Sequence, residues 1–101
     1  MNSKGTMAIK LKDNFSHIPE PYRSAHKACS QNKEAVRKSK VCGCFYCLNV
    51  YPSTDVIKWI EENDENFTAE CPKCGIDSVI PDASGFPLNA EFLAAMKKWW
   101  F

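Results

Sequence analysis

Between Glu20 and Lys38 the apolar side chains Tyr22, Ala25, Cys29 and Val36 fall on one stripe of a 3.6-residue period and predict a helix. Pro21 suits its first turn and Glu20 complements the dipole there. Arg37, Lys38 and Lys40 crowd the opposite end, where cations are favoured. The stripe is thin, so the helix needs another element to dock against. Lys40–Cys42 reads as a short strand, and Leu48, Val50 and Tyr51 as extended and partly buried. Pro52-Ser53-Thr54-Asp55 has the residues of a helix start, followed by a helix Asp55–Glu62 with Val56, Ile57 and Ile60 inward and Trp59 on its margin. After the acidic turn Asn63-Asp64-Glu65-Asn66, the stretch Phe67–Glu70 reads as a strand. Ile76–Ile80 reads as a second strand pairing with it in an antiparallel hairpin.

Pro81-Asp82-Ala83-Ser84-Gly85-Phe86-Pro87 is a loop by composition. Asn89 then caps a last helix, with Leu88 and Leu93 as a hydrophobic staple and Phe92, Met96 and Trp99 or Trp100 on its inner face. Termini usually fray, so Trp99-Trp100-Phe101 is expected either to fold back into the core or to form an interaction surface. Residues 1–19, with scattered Lys and an isolated Phe15, read as a flexible N-terminal arm, which leaves 20–101 as a single domain.

Composition narrows the class. At 101 residues the chain is short enough for a metal to help its core, and 45% apolar residues is ordinary for a globular protein. No apolar run of about 18 residues occurs, so no membrane association is expected. The first seven residues lack the apolar core of a signal peptide, and six cysteines without one point to the cytoplasm and to metal or thiol chemistry.

The formal net charge of +1 conceals an asymmetry: residues 1–40 hold nine Lys/Arg and three Asp/Glu, and residues 41–101 hold four and nine. The basic segment is expected to pack on or near the acidic one, within the molecule or across a homo-oligomer. A nucleic-acid-binding role for that segment is the alternative.

The candidate chemistry lies in the cysteines. Cys44-Phe45-Tyr46-Cys47 and Cys71-Pro72-Lys73-Cys74 are two C-x-x-C turns separated by twenty-three residues. Two such turns supply the four soft donors of a tetrahedral Zn²⁺ site, with Cys44, Cys47, Cys71 and Cys74 as ligands. Gly75 suits the tight turn because it tolerates φ > 0. Redox pairing is the competing use of C-x-x-C, and it lacks the βαβ pattern here. Cys42 is either a replacement for Cys44 or a buried thiol, and Cys29 on the apolar stripe is a small core residue.

Four thiolates close a zinc shell and quench Lewis acidity, so the metal is expected to be structural. No H-x-E precedes a P-C-x-x-C run, and no H-E-x-x-H or G-x-S-x-G occurs. Asp77, Ser78 and Asp82 follow the second C-x-x-C and could line a pocket with His26; a small enzyme site would need His26 with Asp77 and Ser78, and a second metal site His26 with Cys29. Turn-capping aspartates and a packed histidine are the simpler roles.

Cys42-Gly-Cys-Phe-Tyr-Cys47, Thr68-Ala-Glu-Cys-Pro-Lys-Cys-Gly-Ile-Asp-Ser-Val-Ile80, Gly85-Phe-Pro and Glu91-Phe-Leu…Met96…Trp100-Phe101 together resemble a family of small bacterial cytoplasmic proteins that are zinc-ribbon-like. The resemblance spans roughly residues 22–101, with Ala25-His26 and Ser30-Gln31-Asn32 similar to the family's leader helix. It implies a metal module and a bacterial cytoplasm, and it carries no mechanism. The expected fold is α+β, a zinc-ribbon or zinc-knuckle core with three flanking helices: one before it, one within it and one after it. The expected function is that of a structural-zinc module presenting Phe45, Tyr46 and the aromatic last helix to another protein.

Overall fold

The segment carrying Tyr22, Ala25, Cys29 and Val36 does not run as one helix. In the computed structural model, which describes residues 15–101, it forms α1 (Tyr22–Lys27) and α2 (Lys33–Lys38). The break is made by Gln31, at φ 46°, and by Asn32. The Asn32 side chain is buried and fully used. Its Nδ2 donates to the Ala28 and Val79 carbonyls, both at 3.0 Å, and its Oδ1 accepts from the Ala69 amide at 3.0 Å. An interior asparagine that satisfies three backbone groups, two of them fully buried, outweighs the propensity to continue the helix. All four stripe residues still face inward.

The arm expected over 1–19 lies mostly outside the described residues. Of its last five, Ile18 is buried and the Phe15 ring packs 5.2 Å from that of Trp100.

Three short strands form one sheet in the order β2-β1-β5, all antiparallel: β1 (Val41–Cys44), β2 (Val50–Pro52) and β5 (Val79–Pro81). Asp82 secures the start of β1, its carboxylate accepting from the Lys40 and Val41 amides at 3.1 and 3.0 Å. Register places Cys42 beside Tyr51 and Pro81, and Cys44 beside Val79.

A second, two-stranded sheet pairs β3 (Trp59–Asn63) with β4 (Asn66–Ala69). This overturns two expectations. Residues 55–62 are not a helix: a 3₁₀ turn at Ser53–Asp55 passes into extended chain and then β3. Val56, Ile57, Trp59 and Ile60 are β-branched or aromatic, types that fit a pleated surface, and Ile57 points to solvent at 75% exposure. The 67–70 strand therefore pairs backwards with β3, and the strand after the second C-x-x-C pairs with β1 instead.

The last helix, α3 (Ala90–Trp100), is as expected. Asn89 Oδ1 accepts from the Phe92 amide at 2.7 Å, and Phe92, Leu93 and Met96 are buried. Leu93 lies on Gly43 at the centre of the sheet, where a Cβ would come within 3.2 Å of its Cδ1. The α+β class holds: among the described residues two helices precede the cysteine turns, one follows and none lies within. Among the described residues, no helix is long and apolar enough to cross a membrane.

The buried side chains separate into two clusters. One gathers Val36, Cys42, Cys44, Tyr51, Val56, Ala69, Cys71 and Val79. The other gathers Ala25, Cys29, Phe45, Ile80, Phe92, Leu93 and Met96, with Tyr22, Phe86 and Trp100 at its edge.

Candidate metal centre

Each C-x-x-C is carried by a turn whose backbone closes on itself. The first joins β1 to β2: the Leu48 amide donates to the Cys44 carbonyl at 2.9 Å, and the Cys44 amide to the Asn49 carbonyl at 3.0 Å. The second follows β4: the Gly75 amide donates to the Cys71 carbonyl and the Cys71 amide to the Ile76 carbonyl, both at 2.9 Å. Gly75 sits at φ 83°, the conformation that favours glycine. The Phe45 amide, bonded to the Ser78 carbonyl at 3.1 Å, ties the turns together.

The four sulfurs converge. Those of Cys44, Cys47, Cys71 and Cys74 all lie within 4.8 Å of one another, and among the described residues no other group of three such donors forms. Between the turns, Cys44 approaches Cys74 and Cys47 approaches Cys71, both at 3.7 Å. A disulfide needs about 2.05 Å.

Donors surround the sulfurs. The Tyr46 amide points to Cys44 at 3.4 Å, and the Lys73 and Cys74 amides to Cys71 at 3.3 and 3.4 Å. Asn49 Nδ2 reaches Cys47 at 3.3 Å, and Ser78 Oγ lies 3.1 Å from Cys44.

Burial opposes ionisation of Cys71, yet the Tyr51 hydroxyl and the Cys74 and Lys73 amides outweigh it and bring the thiol down to about 7. The Tyr51 hydroxyl stops short of a full hydrogen bond and is the buried side-chain polar atom left without a partner among the described residues. A Cys71 thiolate gives it an acceptor. Burial pushes Cys44 up, and pushes Cys74 up to about 12 with the neighbouring Cys44 sulfur adding to it. One thiolate forms readily at neutral pH, whereas four crowded together require a cation to offset their repulsion.

Comparison of the chain with protein-family models, with curated proteins and with solved structures found no match. The site is therefore read from its own geometry.

The other cysteines stay outside the cage. Cys42 and Cys29 are buried thiols, each pushed up to about 12 chiefly by burial and so protonated at neutral pH. His26 and Cys29 do not form a second metal cluster, because the Cys29 thiol is turned onto the His26 carbonyl at 2.9 Å. His26, Asp77 and Ser78 do line one pocket, whereas Asp82 does not, its carboxylate being taken up by the Lys40 and Val41 amides. Ser78 is unsuited to act as a nucleophile in it, being buried with its hydroxyl against Cys44.

Of the aromatic residues expected to face a partner, Phe45 is buried and Trp100 is half-buried, its indole N–H donating to the Tyr22 carbonyl at 3.1 Å. Tyr46, Trp99 and Phe101 are exposed. Arg37, Lys38 and Lys40 are exposed as well. The basic segment meets the acidic turn where Lys33, Arg37, Glu34 and Glu65 line one hollow, but among the described residues the one ion pair is Arg23–Glu20 at 3.2 Å. Lys33 instead sets its ammonium 4.4 Å from the Phe67 ring centroid and 5.5 Å from that of Trp59.

Sequence reasoning missed the roles of three residues that hold the site in place, Asn32, Tyr51 and Asp82. Nothing in their spacing marks them, since each acts on a segment remote in the chain.

Proposed function

We propose that the protein is a small structural-zinc module of a zinc-ribbon-like kind, with Cys44, Cys47, Cys71 and Cys74 holding one Zn²⁺. The observation that carries this reading is the cross-turn sulfur spacing of 3.7 Å. Zinc–sulfur bonds of about 2.3 Å in a tetrahedron put neighbouring sulfurs about 3.8 Å apart. The amide, hydroxyl and carboxamide donors around the sulfurs fit thiolates, which are acceptors, better than thiols. An all-thiolate shell leaves no open coordination position, so the ion's role is to couple the two turns, and through them the two sheets, into one folded unit.

What the module presents is a surface. Tyr46 at the tip of the first turn lies edge-on to Phe101, with ring centroids 4.9 Å apart, and Trp99 is exposed on the same terminal helix. Exposed aromatic side chains on a rigid support suit recognition of another protein, and we assign the module that role in the bacterial cytoplasm.

Metal analysis by native mass spectrometry on protein purified under reducing conditions tests the first step. One zinc per chain is expected, lost together with the near-ultraviolet circular dichroism on chelation. A folded chain that holds no metal, with cysteines cycling between thiol and disulfide, would replace this reading with a redox one. For the surface, replacing Tyr46 and Phe101 by serine is expected to leave the metal content unchanged and abolish binding to the protein partner. Retained binding would remove those two residues from the interface.

A further inference from the structure

A half-open pocket of about 190 Å³ lies beside the thiol cage, lined by α1 and the residues after it, the first cysteine turn, the segment after the second turn and the end of α3. Several polar groups on its wall are committed: the Cys29 thiol to the His26 carbonyl, the Ser78 hydroxyl to Cys44, and the Trp100 indole to the Tyr22 carbonyl. Three side chains are not. The His26 ring nitrogens, the Asp77 carboxylate and the Ser30 hydroxyl have no hydrogen-bond or ion-pair partner among the described residues.

His26 is held in place without using its nitrogens. Its ring stacks on that of Trp100, with centroids 3.8 Å apart and planes at 27°, and tilts against Phe45 at 6.2 Å. Burial favours the neutral imidazole while the Asp77 charge opposes it, and burial is the stronger. A neutral imidazole offers a lone pair as an acceptor. The pocket thus carries three free acceptors, one of them a full negative charge, against the aromatic side chains Phe45, Trp100 and Phe101. Among the described residues no lysine or arginine lines it.

We propose that this pocket binds a primary ammonium group on a short aliphatic stem, its three N–H donors meeting Asp77, His26 and Ser30 while the stem lies along the aromatic wall. Three donors on one nitrogen match three acceptors around one hollow. A guanidinium presents its five donors in a flat fork instead, and an anion meets Asp77 with repulsion. The volume is below the usual range for whole drug-sized ligands, which suits an end group. The same chemistry comes from a free alkylamine or from a lysine side chain of a polypeptide. The assignment uses no metal contact and stands apart from the zinc reading.

The test is an NMR titration of the full chain, as purified, with n-butylammonium chloride. Sodium butyrate and n-butanol serve as the anionic and neutral matches of the stem. Saturable shifts at the His26 ring, the Asp77 amide and the Trp100 indole with butylammonium alone are expected. Asp77→Asn, a change at an exposed side chain, is expected to weaken binding about tenfold or more while leaving the amide spectrum and metal content unchanged. Nα-acetyl-lysine methylamide binding tighter than butylammonium assigns the lysine source, and the reverse order assigns the free amine. Equal shifts with butyrate or butanol, no saturable shift with either amine, or unchanged affinity in Asp77→Asn would overturn the proposal.

Discussion

The two buried clusters solve the same problem with different materials. The cluster around the thiols is built from small and β-branched side chains with Tyr51, and its elements are strands of three to five residues and the six-residue α2. Strands that short have few ladder bonds and little apolar area to bury, so a metal cross-link has much to contribute. The cluster under α3 is built from Phe45, Phe92, Leu93, Met96 and Ile80 with Tyr22 and Trp100 around it, and it has area enough to hold by packing. The two meet at the end of β1, where Cys44 closes the strand in the first cluster and Phe45, opening the turn, belongs to the second. Alternation along β1 puts Cys42 and Cys44 on the thiol side and Gly43 under Leu93 on the other.

The largest effect expected from breaking this comparison is on the thiol side. Cys71→Ser is expected to remove the metal and with it the cooperative unfolding transition. Structural zinc carries binding free energy of about 10–16 kcal/mol in zinc-finger peptides, more than a domain of this size can replace. Retention of a sharp thermal transition in the variant would show that packing alone suffices.

Leu93→Ala probes the other side and is expected to cost about 2–5 kcal/mol in urea denaturation while one metal per chain is retained. Metal content falling in step with stability would mean that the two clusters do not separate. Asn32→Ala comes next. It leaves the buried Ala69 amide and Val79 carbonyl unpaired, at about 1–3 kcal/mol for each group stranded, and it acts on both clusters because Asn32 bridges β4, β5 and the end of α1.

The smallest effect is a pH dependence. The Lys40 and Val41 amides hold the Asp82 carboxyl below its ordinary value of 3.8, the Val41 bond being the larger cause. A carboxyl lowered in the folded state contributes stability above its unfolded value and loses it as pH falls through the folded one. The stability gap between wild type and Asp82→Ala is therefore expected to be present above about pH 4 and to close at lower pH. A gap that persists unchanged below pH 3 would assign the effect to packing of the loop and not to the carboxylate.

Much of the architecture is legible in the residues. The Asn89 cap and the staple beside it announce α3, because a helix with a strong start signal and a wide apolar face is specified locally. The two C-x-x-C turns with Gly75 announce convergent thiols, because each turn is a local structure that orients its own pair.

The segment 55–62 was not legible in the same way. Asp55 and the hydroxyls before it look like a cap, and Val56, Ile57 and Ile60 match a helical stripe as well as they match strand alternation in a stretch this short. What decides is Phe67-Thr68-Ala69, the strand against which Trp59 and Ile60 pair. The single helix expected over 20–38 fails for a related reason, since Asn32 has its partners on Ala69 and Val79, thirty-seven and forty-seven positions away.

The sequence by itself determined the donor set, the turns that carry it, the capped terminal helix and the mixed class of the fold, all features whose physics is complete within about ten residues. Only the tertiary structure decided which strands pair, that Phe45 is core while Tyr46 is surface, and that His26, Ser30 and Asp77 share one hollow. Those outcomes depend on hydrogen bonds and packing between segments far apart in the chain, and local propensity does not encode them.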